Sequence, residues 1–260
     1  MSKHMKRLNA PRALRIHRKE KIWTIKPSPG PHPIEKSMAL GFAIRDHINL
    51  TDTLRETKNI LSKGEVLVDG RIIKEYKHPV GLMDVISIPK IKKDFRILYD
   101  QRGKLTLIPI KASESKWKLC RIENKTIIKG KKTQLNLHDG RNIIVKKDEY
   151  KTGDVLKIEF KDTKISDKFE YKTGAVSLII GGSHIGEIAN LDKTDIISSS
   201  KQNISKMKGE SDFTTLQEYV FPIGKNKPAI ELPEVKVIWV QKKSPMNHNI
   251  NSNQKSKKLQ

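Results

Sequence analysis

The sequence predicts a multidomain α+β protein: a small two-helix plus β-sheet domain, a central β domain and a small β barrel, between basic unstructured termini. Three observations carry this expectation. Apolar residues recur at helical spacing from Ser37 to Ser62 and then switch to strict alternation. Turn residues punctuate alternating strands between Arg96 and Glu170. A glycine-containing strand–turn–strand unit follows between Gly174 and Asn190.

The chain opens on a basic arm. Lys3, Lys6, Arg7, Arg12, Arg15, Arg18, Lys19, Lys21 and Lys26 face one acid, Glu20, and Leu8, Leu14, Ile16, Ile22, Trp23 and Ile25 lie among them. Cations interleaved with apolar and aromatic groups suit a segment that orders in a crevice of folded RNA. Its charges would meet phosphates, and its aromatic ring would be available for stacking. Pro27, Pro29, Pro31 and Pro33 then close the arm with a segment that cannot be helical and should run extended.

In the next segment Met38, Leu40, Phe42, Ile44 and Ile48 predict a first helix, ended by a turn at Asn49-Leu50. Thr53-Leu54-Arg55-Glu56 reads as a capping box that opens a second helix. That helix turns Leu54, Ile60 and Leu61 inward, leaves Arg55, Lys58 and Lys63 on or near its outer face, and stops at Gly64. Asp69-Gly70 predicts a tight hairpin between alternating strands, and Gly81 to Ile88 predicts another strand.

Further strands are expected at Leu105–Ile110, Lys116–Glu123, Asn142–Lys146 and Asp154–Phe160, with turns at Gly103, Gly130, Asp139-Gly140 and Thr152-Gly153. Tyr150-Lys151-Thr152-Gly153 recurs as Tyr171-Lys172-Thr173-Gly174, an echo that reads as two similar turns entering strands. After the second copy, Gly181, Gly182 and Gly186 allow close backbone approach while Val176, Leu178 and Ile180 alternate inward. The last 20 residues hold five lysines, no acid and almost no apolar content, so they are expected to be disordered.

Composition narrows the function classes. The 260 residues include 52 Lys+Arg against 29 Asp+Glu, a net charge of +23, and call for a polyanionic partner. Nucleic acid is favoured over a membrane surface, because the basic ends lack the amphipathic face that membranes select. The 41 lysines outnumber the 11 arginines, which favours backbone over base-edge recognition. A lone cysteine, Cys120, forms no internal disulfide and fits a reducing, intracellular setting; it reads as a buried small side chain. No apolar run is long enough to span a bilayer, so a soluble chain is expected. No metal cluster, cofactor or small-molecule substrate is indicated.

Two segments carry a family resemblance. Residues 45–88, above all RETKNILSKGEVLVDG from Arg55 and PVGLMDVISI from Pro79, resemble the RNA-binding domain of the ribosomal small-subunit protein S-four-e family of archaea and eukaryotes. GAVSLIIGGSHIGEIAN from Gly174 resembles a KOW motif, and Phe213–Gly224 with Ile230–Pro233 fits the same family. Where that family's glycine turn usually carries a basic pair, this chain has Ser183-His184 and Glu187, and Thr215-Leu216 stands where Thr-Arg is common. The barrel is therefore expected to face protein or solvent.

The resemblance implies a small-subunit ribosomal protein that binds rRNA, neighbours other ribosomal proteins and resides on cytoplasmic ribosomes. Its implied contacts are Lys6, Arg7, Arg12, Arg15, Arg18, Lys19 and Lys21 in the arm, with Arg55, Lys58, Lys63, Arg71 and Lys74 in the small domain. The expected divisions are a 1–36 arm, a 37–95 RNA-binding domain, a 96–170 central β domain, a 171–240 KOW barrel and a 241–260 tail. Catalysis is not expected: the eight histidines are scattered, and Asp139-Gly140-Arg141, superficially similar to the catalytic neighbourhood of pseudouridine synthases, reads as a hairpin turn. An RNA-modifying enzyme and a free KOW-type RNA-binding factor stand as alternatives.

Overall fold

The computed structural model describes residues 4–232 apart from 131, 146, 147, 162 and 210, so the expected tail 241–260 lies outside the described residues. The chain is mostly β-sheet with few helices.

The N-terminal arm is folded, which corrects the expectation that it has no structure of its own. Strand β1 (Met5–Lys6) pairs antiparallel with β2 (Trp23–Thr24), and a 3₁₀ turn at Arg7–Asn9 lies between them. Ala10, Leu14 and Ile25 are buried in the main hydrophobic core. Leu105 N donates to Ala13 O at 2.8 Å and Ser28 N to Lys77 O at 2.9 Å, so the arm is fastened on two sides. Of the interleaved apolar residues, Leu14 and Ile25, with Ile16 packed beside them, thus serve this chain's own core, each full burial contributing about 1.5–3 kcal/mol, while Leu8, Ile22 and Trp23 stay exposed.

The expected first helix begins as a strand. β3 (Ser37–Ala39) pairs with a later strand, and only then do α1 (Leu40–Phe42) and a π turn (Ala43–His47) wind up to Asn49, whose φ is +55°. Helix α2 (Leu54–Ser62) has the expected cap: Glu56 N donates to Thr53 Oγ1 at 3.3 Å. The Glu56 carboxylate returns to Asp52 N at 3.1 Å, one residue before the position a capping box prescribes. Strands β4 (Leu67–Val68) and β5 (Arg71–Ile72) flank Asp69 and Gly70, both at positive φ, as a two-residue primed turn requires.

The strand expected at Gly81–Ile88 is broken at Met83, φ +68°, into β6 (Pro79–Gly81), the partner of β3, and β7 (Val85–Ile88). β8 (Lys93–Tyr99) and β9 (Leu105–Ile110) complete an antiparallel sheet of order β5-β4-β7-β8-β9. The expected boundary at 95/96 falls inside β8, a correction: the small domain's sheet extends to Ile110, because β8 pairs with β7.

A second antiparallel sheet holds β10 (Trp117–Ile128), β11 (Lys132–Leu137), β12 (Asn142–Val145), β13 (Val155–Glu159) and β14 (Ile165–Phe169), ordered β12-β11-β10-β13-β14. The third holds β15 (Val176–Ile179), β16 (Ile188–Asp195), β17 (Ile204–Lys208), β18 (Asp212–Leu216) and β19 (Val220–Gly224), ordered β18-β17-β16-β15-β19. β15 alternates as expected, Val176, Leu178 and Ile180 turning to the main core, but its other face is covered too. All four residues are buried, since the strand lies between β16 and β19 with Val176 and Leu178 in the main core and Ile179 in a separate cluster.

That main core draws on all three sheets, from Ala10 and Leu14 through Ile97 and Leu119 to Phe221 and Ile223. Cys120 is fully buried in a second cluster with Ile122, Leu135 and Leu156. Beside these cores lies a buried charge cluster. Lys118 Nζ on β10 sits 2.6 Å from Asp69, 2.9 Å from Asp84 and 2.7 Å from Asp139, while His32 Nε2 lies 2.9 Å from Asp84. Burial alone would raise Asp84, but Lys118 and then His32 hold its carboxyl far below the usual range. Burial and then the charge of Asp84 push Asp69 up.

Candidate nucleic-acid interface

The arm's fold sorts its cations into two kinds. Arg7 is 4% exposed; its guanidinium donates to His17 O at 2.9 Å and Trp23 O at 3.3 Å. Arg18 Nη1 donates to the carbonyls of Arg7, Leu8 and Ala10, and Nη2 to Pro11 O. Both side chains, expected among the phosphate contacts, thus hold the arm's own backbone. Charge in a sequence does not reveal whether a guanidinium faces a carbonyl of its own chain.

Lys6, Arg12, Arg15, Lys19 and Lys21 are exposed instead, and none makes an ion pair with a described carboxylate. The arm's acid, Glu20, is engaged by Arg7 at 4.0 Å and His17 at 3.9 Å. A residue outside the expected set joins them: Lys104, before β9, donates to Arg12 O. Burial, followed by the like charges of Arg18 and Arg12, pushes the Lys104 ammonium below its ordinary range. Arg15 lies near the π turn, where burial chiefly, with Arg15 reinforcing and Asp46 opposing, holds His47 down at about 4. Beside this ridge Trp23 is 55% exposed, with the His4 ring 5.7 Å away.

The second cationic face belongs to α2 and the β4–β5 hairpin. Thr57 and Leu61 are buried, which fixes the helix rotation and leaves Arg55 and Lys58 outward. Lys63 follows at the helix end; a side chain at Gly64 would come within 3.1 Å of Ile72 Cγ2, so that end lies against β5 and Arg71. Arg55, Lys63, Arg71 and Lys74 are exposed and make no ion pair with a described carboxylate. Lys58 Nζ stands 4.4 Å over the Tyr76 ring, and Lys77 Nζ 5.6 Å from it.

The third sheet's glycine turn is occupied internally. His184 stacks on Phe213 at 4.0 Å and bonds Glu187 at 3.1 Å. Among the described residues no group of three or more His, Cys, Asp or Glu is placed to hold a metal, and no helix is long and apolar enough to cross a membrane.

A family model described as "Ribosomal family S4e" matches residues 91–165, and the "RS4NT (NUC023) domain" matches residues 1–35, the folded arm. Small ribosomal subunit protein eS4 of Methanosphaera stadtmanae is 50% identical over 231 residues, covering 88% of this chain and 95% of that protein. The chain belongs to the S4e family of ribosomal proteins. An S4e relative from Archaeoglobus fulgidus, also a small ribosomal subunit protein eS4, is 44% identical over 233 residues, 88% of this chain and 97% of its own. The crystal structure of the 30S ribosomal protein S4e from Thermoplasma acidophilum superposes with a TM-score of 0.64 at 34% identity, covering 73% of this chain and 96% of that one. In this S4e chain the sequence does not show Lys104 and Tyr76 beside the cationic faces, since only the Leu105–Ala13 pairing and the Lys58–Tyr76 contact bring them there.

Proposed function

We propose that this chain is a non-enzymatic constituent of the small ribosomal subunit that binds rRNA and supports translation on cytoplasmic ribosomes. The observation that carries this reading is the arm ridge, where Lys104 joins Arg12 on an arm that also exposes Arg15, none of the three in an ion pair with a described carboxylate. Such an arrangement is self-repulsive until a polyanion covers it. Family membership supplies the ribosomal context.

In this reading Lys6, Arg12, Arg15, Lys19, Lys21 and Lys104 meet rRNA phosphates along the arm. Arg55, Lys58, Lys63, Arg71 and Lys74 do so from the two-helix domain, a shape-and-backbone mode suited to lysine. The sheet from β15 to β19 is read as the KOW unit; with His184 stacked on Phe213 its glycine turn is assigned to neighbouring ribosomal proteins or solvent. Cofractionation tests the proposal: the chain should be near stoichiometric with small subunits after a moderate-salt wash. Substoichiometric recovery and release by that wash would favour an RNA-modifying enzyme or a free factor.

A further inference from the structure

The repeated Tyr-Lys-Thr-Gly sequence has no part in the interface above, yet the fold brings its two copies together. Lys151 and Thr152 of the first, and Lys172 and Thr173 of the second, line one groove of about 680 Å³ between the second and third sheets, joined by Lys125 and Lys193. Gly153 and Gly174 hold the two turns at φ +90° and +86°. Asp154, which follows the first copy, ties them: its carboxylate accepts from Lys151 N at 3.0 Å and from Tyr171 N at 2.9 Å. The second copy has Ala175 at the equivalent place, so one buried acid serves both turns.

This wiring leaves the groove positive. Asp154 is the one acid among its lining residues, and both its oxygens are spent on backbone N–H groups. Lys151 makes no ion pair with a described carboxylate. Lys172 and Lys193 have exposed partners in Glu170 and Asp195, screened surface pairs that a phosphate can displace, and Lys125 is shared between Asp148 and Tyr150 O. The Thr152 and Thr173 hydroxyls are exposed and available as donors.

We infer that the paired Lys-Thr-Gly turns form a third anion-binding surface, distinct from the arm and helix faces, a clamp which grips a stretch of rRNA backbone. Lys151 and Lys172 would pair with phosphates, Thr152 and Thr173 would donate to their oxygens, and Lys125 and Lys193 would extend the track. An RNA backbone is favoured over an acidic protein segment because the hydroxyls and lysines repeat in pairs, as spaced phosphates demand, within a chain of net charge +23. The inference rests on the rRNA-binding reading, and its test separates the two.

The full chain is titrated with transcribed small-subunit rRNA over a range of salt. For Lys151→Gln/Lys172→Gln/Lys193→Gln the slope of log affinity against log salt should shrink by roughly 2, at about 0.7–0.9 for each phosphate lost. The Lys→Arg version of the same triple should keep the slope. Thr173→Cys carrying a photoreactive azidophenacyl group should crosslink to one discrete rRNA segment; the native Cys120 is fully buried and will not take the label. An unchanged slope for the Gln triple, beside a reduced one for Arg12→Gln/Arg15→Gln, overturns the clamp and leaves rRNA binding standing. Slopes unchanged in both overturn both readings. Loss in the Arg triple as well marks a structural role and overturns the clamp. Stronger competition by polyglutamate than by rRNA for the wild-type groove assigns it to acidic protein and overturns it too.

Discussion

The ammonium of Lys118 lies 2.6 Å from Asp69 Oδ2, across 49 residues of sequence, and joins the second sheet to the hairpin turn of the first in a site where both side chains are at most 6% exposed. Asp84 and Asp139 complete its shell, and Arg141 reaches Asp69 at 2.7 Å. The interactions that set the small domain against its neighbour are thus partly ionic, and they fix orientation more than they add stability. Lys118→Met should cost about 3–5 kcal/mol in urea unfolding, because three buried carboxylates lose their shared cation. Adding Asp139→Asn should recover part of it. A loss below about 1 kcal/mol would contradict this assignment.

Acid should unfold the chain earlier than its carboxylates alone require. Arg121 N donates to His138 Nδ1 at 3.2 Å, so Nε2 carries the proton toward Leu82 O and a second proton has no room. Burial, then the charge of Lys118, holds His138 down at about 3. A histidine depressed on folding contributes stability above its unfolded value near 6.5 that is lost as pH falls toward the folded one. His47 adds the same sign down to about 4. Stability should therefore fall from about pH 6.5, the His47 part ending near pH 4 and the His138 part near pH 3, each losing at most about 1.4 kcal/mol per pH unit. His138→Gln should flatten that fall in chemical unfolding curves; an unaltered profile would refute it.

Gly186 holds φ +83° with the carbonyl carbon of Asp100 2.6 Å from where a Cβ would stand. The obstruction is backbone from the first sheet, which cannot swing aside. Gly186→Ala should destabilise by more than about 2 kcal/mol, while Gly130→Ala, at φ +84° with nothing within 4 Å, should cost only about 1 kcal/mol. Equal thermal shifts for the two variants would remove the steric argument.

Arg18 satisfies four arm carbonyls. Arg18→Ala should speed hydrogen exchange in residues 5–24 by about tenfold or more, equivalent to roughly 1.4 kcal/mol of local opening, and leave the third sheet's protection unchanged. Unaltered exchange in the arm would show that Ala10, Leu14 and Ile25 alone hold it.

Local chemistry made much of this fold legible. Thr53 and Glu56 announce a helix start through bonds spanning three residues, Asp69-Gly70 announces a hairpin, and Leu105–Ile110 alternates as a strand should. What stayed illegible depends on distant partners. Ser37–Ala39 reads as helix until β6 pairs with it. The boundary at 95/96 was misplaced because only the pairing with β7 shows that Lys93–Tyr99 belongs to the first sheet. The exposed arm cations were legible as a cluster, whereas the inward roles of Arg7 and Arg18 were not, since a guanidinium pairs equally well with a phosphate and with a row of carbonyls. Lys104 is brought in by tertiary pairing alone.

The most direct measurement is the retention of Arg12→Gln/Arg15→Gln/Lys104→Gln in purified small subunits washed at rising salt. These side chains are exposed or half-exposed and carry no part of the buried core, so the variant should keep its thermal midpoint. It should leave the subunit at distinctly lower salt than the wild type, with the slope of its rRNA affinity against salt reduced by roughly 2–3. Retention and slope identical to the wild type would contradict the claim that the folded arm is an rRNA-binding surface.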